Sequence, residues 1–454
     1  MTQCTQSSFE FKAHGSRDVV ARFDGGAISS DGGSVLLRET DQRLNLLPRL
    51  AECFLDSRAQ DRVDHSILEM VSQRVYGLAL GYEDLNDHEQ LRKDPLLAMF
   101  AGREELDKPL AGKSTLNRLE LGNGQPDRYK KITFWKSAMD ELLVNVFVES
   151  HQTAPEEIIL DVDTTDLPLH GKQEGRFFHG YYDSYCYLPL YIFCGGHVLC
   201  ARLRQSNTDA SAGSLVEIER IVGQIRTAWP KVRIILRGDS GFCRNEVMKW
   251  CESQSVDYVF GLARNQRLRS IIGRQMWEAT EQWNRTGKPA RVFAEFSYRT
   301  RKANNRGWDR ERRVVAKAEH ISGKENPRFI VTSLKAEPWA AQALYEELYC
   351  ARGDMENRIK EQFSLFADRV SAQTMRANQL RLYFSVMAYV LVSGLRRLGL
   401  KATDLAQAQV STIRTKLLKI GAQVRITVRR IWISMASSYP WQSVYQQVWT
   451  NLRC

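Results

Sequence analysis

Ile158-Ile159-Leu160-Asp161-Val162-Asp163 is a short apolar run that ends in an acid, and Val232-Arg233-Ile234-Ile235-Leu236-Arg237-Gly238-Asp239 is a second run of the same kind. Short β-branched runs such as these read as buried strands. Each therefore sets an aspartate at the carboxyl end of a strand, where ligands bind in open α/β sheets. Alternation along the first run puts Ile158, Leu160 and Val162 on one face and Asp161 with Asp163 on the other, so spacing does not choose between the two acids. Outward from these runs the expected order is strand (157–163), strand (187–195), strand (197–205), helix (211–228), strand (232–238), helix (244–253) and strand (257–263). A leading meander followed by alternating helices and strands predicts an α/β sheet.

A third acid, Glu356, lies on a charged helix expected to begin near Trp339. At about 100° per residue, Tyr349, Arg352, Glu356, Lys360 and Phe363 fall in one stripe about 80° wide, while Asp354 points away. The plain reading of the stripe is an Arg352–Glu356 ion pair worth a few tenths of a kcal/mol. That reading leaves unexplained why an aromatic, two cations and an acid line up beneath two strand-end aspartates. An aspartate after a strand is more often a turn or helix cap than a ligand. Three carboxylates brought together cannot all stay ionised without cations, however, and two magnesium ions about 4 Å apart are the usual solution. Such a site performs phosphoryl transfer on nucleic acid.

The ordered set Asp163-Thr164-Thr165, then Gly238-Asp239-Ser240-Gly241-Phe242, then Tyr349-x2-Arg352-x3-Glu356 resembles the cut-and-paste DDE transposases of bacterial insertion sequences. More narrowly it resembles the subgroup with a Y-x2-R-x3-E-x6-K signature. The stretches from Leu167 to Asp183 and from Lys416 to Pro440 also look like one branch of that group, so the resemblance covers most of the chain. It implies an RNase H-like catalytic core and selects Asp163, the acid before Thr-Thr, with Asp161 as its neighbour. It further implies that Asp163, Asp239 and Glu356 are catalytic and hold two Mg²⁺, for which Mn²⁺ substitutes. Tyr349 and Arg352 would contact phosphate near the scissile bond, since guanidinium forks suit phosphate geometry. The final lysine of the signature is replaced by Phe363; Lys360, one turn earlier on the same stripe, is the candidate substitute.

Between Asp239 and Glu356 lie 116 residues, more than one strand and one helix require. The excess contains three runs that read as strands, Arg291 to Tyr298, Val314 to Glu319 and Phe329 to Leu334, parted by the turn-formers Asn304-Asn305-Arg306-Gly307 and Gly323-Lys324-Glu325-Asn326. The expected element is a β-rich insertion in the catalytic core. Related transposases use a similar insertion to hold a DNA hairpin and a flipped base, which makes Trp308 a candidate stacking residue, with an ordinary buried tryptophan the competing reading.

The chain has 454 residues, 43% of them hydrophobic, enough for more than one core. Its net charge of +11 is unevenly spread: residues 371–454 hold 12 Lys/Arg against one acid, and residues 264–317 hold 15 against five. Two basic segments on an otherwise acidic chain predict a DNA footprint, with Arg429 and Arg430 as candidate phosphate contacts and Trp277 and Trp283 available for stacking. The nine cysteines form no CxxC pair, MTQCTQSSFEFKAHG lacks an apolar core, and Leu382 to Leu395 is too short to span a bilayer. These features predict a cytoplasmic, nucleoid-associated protein with reduced thiols and no membrane segment. Gly112-Lys113-Ser114-Thr115 lacks the first glycine of a phosphate loop, position 107 being Asp107. It reads instead as a helix start capped by Ser114 or Thr115, within a possible helix-turn-helix. His170 and His179, close after the first catalytic strand, are placed to touch DNA, but a structural hydrogen-bonding role is the favoured reading.

The expected organisation is a helical DNA-end-binding region (1–150), an RNase H-like core (151–268), the β-rich insertion (269–336), the core helix carrying the third acid (337–370) and a basic C-terminal region for DNA binding or dimerisation (371–454). The resemblance implies a homodimer in a synaptic complex with double-stranded DNA, both terminal inverted repeats and target. Cleavage would proceed through a hairpin intermediate, followed by strand transfer. Two other classes fit the acids less fully: an RNase H-like nuclease without strand transfer, and a catalytically silent DNA-binding regulator.

Overall fold

The computed structural model describes residues 8–122, 124–300 and 307–453, and these form two compact units. The division does not follow the one expected from sequence. Lys136–Phe363 and Asp368–Tyr383 make the larger unit, while Phe384–Cys454 joins Met1–Trp135 and Ser364–Ala367 in the other. Residues 304–306 of the expected turn lie outside the described residues.

The larger unit is built on a nine-stranded mixed sheet. Its strands are β1 (Glu157–Thr164), β2 (Leu190–Cys194), β3 (His197–Arg202), β4 (Arg233–Gly238), β5 (Asp257–Leu262), β6 (Ala290–Tyr298), β7 (Arg312–Ile321), β8 (Lys324–Glu325) and β9 (Arg328–Thr332). They run in the order β3-β2-β1-β4-β5-β9-β7-β6, with β8 paired to β7. The β1–β4 and β4–β5 pairs are parallel and the others antiparallel. The three strands expected as an insertion thus continue the same sheet, and the segment also contains the helix Gly273–Thr286, which the sequence reading missed. Met276 and Ala279 of that helix are buried and Trp283 is half-buried, a narrow apolar stripe at helical spacing on an otherwise polar segment.

The period of two in β1 and β4 sorts their residues between two layers. Ile158, Leu160 and Val162, with Ile234 and Leu236, join a core that also takes Ile218, Ile221 and Ile225 from the helix Ser214–Ala228, and Val247 and Met248 from Asn245–Ser253. On the opposite face Ile159, Ile235, Val259, Val315 and Ile330 pack against Leu344, Tyr345 and Leu348. Those last three belong to a helical segment running from Ala341 to Phe363, whose Leu344–Tyr349 portion is π-helical and whose Cys350–Arg352 portion is a 3-10 turn. Asp161 and Asp163 share the parity of Ile159, and Arg237 and Asp239 share that of Ile235. Both aspartate-bearing strand ends therefore face the helix that carries Glu356.

The other unit pairs the two ends of the chain: Ala27–Ser29 adds to the hairpin of Ala422–Ile426 and Ile431–Met435 in one three-stranded sheet. The helix Ile67–Leu80 buries Met70, Val71, Val75 and Leu78 and is started by a Ser66 side chain that accepts from the Glu69 amide. The helix Lys113–Glu120 is capped by Gly112, not Ser114 or Thr115; the Glu89 carboxylate accepts from the Lys113 amide at 2.9 Å instead. The N-terminal region is not all helical, since an exposed hairpin, Phe9–His14 with Arg17–Ala21, precedes it. No helix among the described residues is long and apolar enough to cross a membrane.

Candidate active site

Asp163 sits in the last turn of the β1 ladder, paired in register with Tyr191 of β2. The parallel register Gly238↔Val162 carries on by one step to set Asp239 beside Asp163. Asp239 is fixed by its own turn: its Oδ1 accepts from the Gly241 amide at 2.8 Å. A Cβ on Gly241 would lie 2.9 Å from that same oxygen, so the turn after the strand requires a residue without one. Asp163 Oδ1 likewise accepts from the Thr164 amide at 2.8 Å.

Arg352 joins two of the three acids. Its Nη1 donates to Asp163 Oδ2 at 2.6 Å and its Nη2 to Glu356 Oε1 at 3.2 Å. Asp163 and Arg352 are largely enclosed, with side chains 13% and 18% exposed, whereas Glu356 is 52% exposed. The plain ion pair expected between Arg352 and Glu356 therefore forms, and it extends to the strand-end aspartate. Burial pushes the Asp163 carboxyl up to about 6, opposed by Arg352 and reinforced by the charge of Asp239.

Behind this group lies a second pair. Arg237 forks onto Asp161 at 2.5 and 2.8 Å and donates to the Leu348 carbonyl at 2.5 Å, tying β4, β1 and the helix together. Arg237 and Asp161 are both buried. Asp161 is thereby engaged as a structural partner and Asp163 is the acid at the open end. An arginine inside an apolar strand was the signal for such a partner, because a buried cation requires a paired anion. Tyr349 follows Leu348, and its hydroxyl approaches Gly261 of β5 so closely that a Cβ there would lie 2.6 Å from it and 2.9 Å from the Ser240 amide.

Among the described residues no three His, Cys, Asp or Glu side chains are gathered closely enough to hold a metal ion. Arg352 lies between Asp163 and Glu356 instead, and the carboxylate oxygens it joins are donors of the type a hard divalent cation takes.

The remaining expected residues divide. Lys360 is exposed on the same helix and Phe363 is half-buried. Trp308 is corrected to a core residue: 5% exposed, edge-on to Tyr298 and beneath Arg312, it offers no face to a base. Trp283 stacks on His320, and Trp277 is 64% exposed. Cations of the 264–317 segment are widely spent on internal pairs, Arg291 on Glu319, Arg313 on Glu295 and Lys317 on Glu319 within the sheet, and Arg312 on Glu252 of the helix Asn245–Ser253. Arg429 and Arg430 are exposed at the turn of the Ala422–Met435 hairpin. His170 is exposed, and His179 packs on Tyr182.

A sequence profile of the family described as transposase DDE domain group 1 matches residues 11–454. No curated protein matches the chain. Among solved structures, one that matches is the cryo-EM structure of a piggyBac transposase synaptic complex with hairpin DNA, at 10% identity and a TM-score of 0.40, covering 86% of this chain and 80% of that one.

Proposed function

The chain belongs to the transposase DDE domain group 1 family and is a DDE transposase, and from that premise we propose that it cuts DNA at the ends of an insertion sequence and joins those ends to a target. Asp163, Asp239 and Glu356 are the acids of this reaction. The observation that carries the assignment is the Asp163–Arg352–Glu356 bridge at the carboxyl ends of two parallel strands, with Asp239 one register step away. The strand order β3-β2-β1-β4-β5 supports reading the core as RNase H-like, with β6 to β9 and the helix Gly273–Thr286 as its inserted extension.

Two divalent cations held by Asp163, Asp239 and Glu356, Mg²⁺ or Mn²⁺, would activate the attacking oxygen and neutralise the leaving one. The protein's own groups do the rest. The Gly241 amide orients Asp239, the Thr164 amide orients Asp163, and the buried Arg237–Asp161 pair holds the strands and the helix in register. Arg352 exchanges a carboxylate for a phosphate oxygen when DNA enters, a ligand its planar fork fits equally well. In the first step a water oxygen bonds to phosphorus, the bond to the 3′-oxygen breaks, and that oxygen takes up a proton. The freed 3′-hydroxyl then attacks the phosphodiester of the opposite strand, forming a hairpin as the flanking strand's 3′-oxygen leaves and takes up a proton. Water opens the hairpin by attack on the same phosphorus, restoring the 3′-hydroxyl, which then attacks a target phosphodiester and expels the target's 3′-oxygen as a hydroxyl.

The exposed Arg429 and Arg430 and the mixed charge of the chain support binding to double-stranded DNA, and paired ends call for a homodimer. Purified protein with Mg²⁺ and duplexes taken from the DNA flanking its coding sequence tests the proposal on denaturing gels. Nicks, hairpins and joined products are expected. Cleavage that never yields a joined product would replace the transposase reading of the site with a nuclease one, and activity surviving in Asp163→Asn would remove the acids from the mechanism.

A further inference from the structure

We propose that the small sheet rising beside Asp163 is a stacking platform for an unpaired DNA base next to the scissile phosphate. This rests on the proposed transposase reading of the site. The β1–β2 hairpin is joined by an excursion, residues 165–189, that leaves and returns at the rung Thr164↔Leu190, one rung beyond Asp163↔Tyr191. Within it, Leu167–Pro168, Phe177–His179 and Ser184–Tyr187 form a three-stranded antiparallel sheet of their own. The excursion thus stands on the same strand ends as the catalytic acids.

Its surface is aromatic. Phe178 and Tyr185 are cross-strand partners in edge-to-face contact at 5.6 Å, 53% and 46% exposed, and the Arg176 guanidinium lies 4.5 Å from the Tyr185 ring. Tyr181 projects from the turn between these strands and is 84% exposed. Single exposed aromatics are ordinary, but three within eight residues, backed by a guanidinium, form a patch that seeks a partner. A nucleobase is the partner such a patch beside a phosphoryl-transfer site fits, because every base has a π-face for the rings and for Arg176 to stack on. The insertion offers less: Trp308 is in the core and Trp283 is engaged with His320, leaving Trp277 as its exposed alternative.

The test uses the flanking-DNA duplexes with 2-aminopurine at the nucleotides either side of the mapped cleavage position, bound by the Asp163→Asn protein so that no chemistry intervenes. Stacking keeps the unpaired base dark. Adding Phe178→Ala or Tyr181→Ala should raise its fluorescence several-fold, and each change alone should slow cleavage about tenfold with duplex binding retained. Tyr181→Trp should preserve both. Because Tyr181 and Phe178 are exposed, these changes leave the fold intact, which the melting temperature checks. Unchanged fluorescence and cleavage in a protein that binds and cuts DNA would overturn the platform, as would a rise in fluorescence in Trp277→Ala alone. A shift in oligomeric state without a fluorescence change would assign the patch to a protein contact and overturn it too. Wild-type protein that neither binds nor cuts the duplexes would instead bring down the underlying transposase reading, and the platform with it.

Discussion

Arg352 answers the charge of two of the acids: its guanidinium lies between Asp163 and Glu356. Burial raises the Asp163 carboxyl to about 6, from an ordinary value near 3.8. The sign follows. The folded state holds this proton more tightly than the unfolded one, so the associated stability is complete below about pH 3.8 and is lost as pH rises through about 6. A divalent ion competes with that proton. Magnesium should therefore raise the melting temperature at pH 7.5 and do little at pH 5, and Asp163→Asn should flatten the difference in differential scanning calorimetry. Asp163→Asn, Asp239→Asn and Glu356→Gln should each abolish cleavage with end binding retained, while Asp354→Asn, exposed and outside the bridge, should cut like wild type in the same assay. Lys360 is exposed one turn beyond Glu356, and its flexible stem covers much of the offset to the position where the signature lysine is missing. Lys360→Ala should weaken retention of the cleaved end and slow strand transfer; wild-type behaviour in both would assign that phosphate to another cation.

At the scale of elements, the helical segment from Ala341 to Phe363 is not the regular helix that a wheel assumes. Its π-helical Leu344–Tyr349 portion and the 3-10 turn after it change the phase between Leu348, which packs on the sheet, and Arg352, which reaches the acids. Regular periodicity holds from Gly353 onward, which is why the Arg352–Glu356 contact at i,i+4 was still foreseeable. β5 contributes by what it lacks. A methyl group on Gly261 would meet the Tyr349 hydroxyl at 2.6 Å and the backbone that carries Asp239. Gly261→Ala should cost about 1–3 kcal/mol in urea denaturation, as overpacking does, and should depress cleavage more than end binding. Adding Tyr349→Phe removes one of the colliding atoms and should recover part of the lost stability; no recovery would mean that the Ser240 backbone is the main obstruction.

For the whole molecule, total charge is a poor guide to where DNA binds. The 264–317 segment looks strongly basic, yet Arg291, Arg313 and Lys317 are each paired with acids of the same sheet and Arg312 with Glu252 of the helix Asn245–Ser253. Arg429 and Arg430 lie instead at an exposed hairpin turn. Arg429→Glu with Arg430→Glu should flatten the log-log dependence of end affinity on salt by about two phosphate contacts between roughly 50 and 200 mM, because each lost contact releases fewer counterions. Arg313→Gln should leave that slope unchanged. Equal slopes for both proteins would place the C-terminal cations on a surface that DNA does not touch.

The strands of the sheet, the two acids at their carboxyl ends and the helix bearing Glu356 were legible in the sequence, since apolar period, strand length and turn residues are local properties that the fold must respect. Other features depended on chain segments far apart in sequence. The partner of Asp161 is Arg237 from a neighbouring strand, the acids that neutralise Arg291 and Arg312 come from a neighbouring strand and from the helix Asn245–Ser253, and Ala27–Ser29 pairs with Ala422–Ile426. Trp308 became core and the ring of Tyr181 stayed exposed for the same reason. Whether a charge is spent or free, and whether an aromatic is filling or surface, is decided by which neighbours the tertiary fold delivers, and a side chain's own type and spacing carry no record of them.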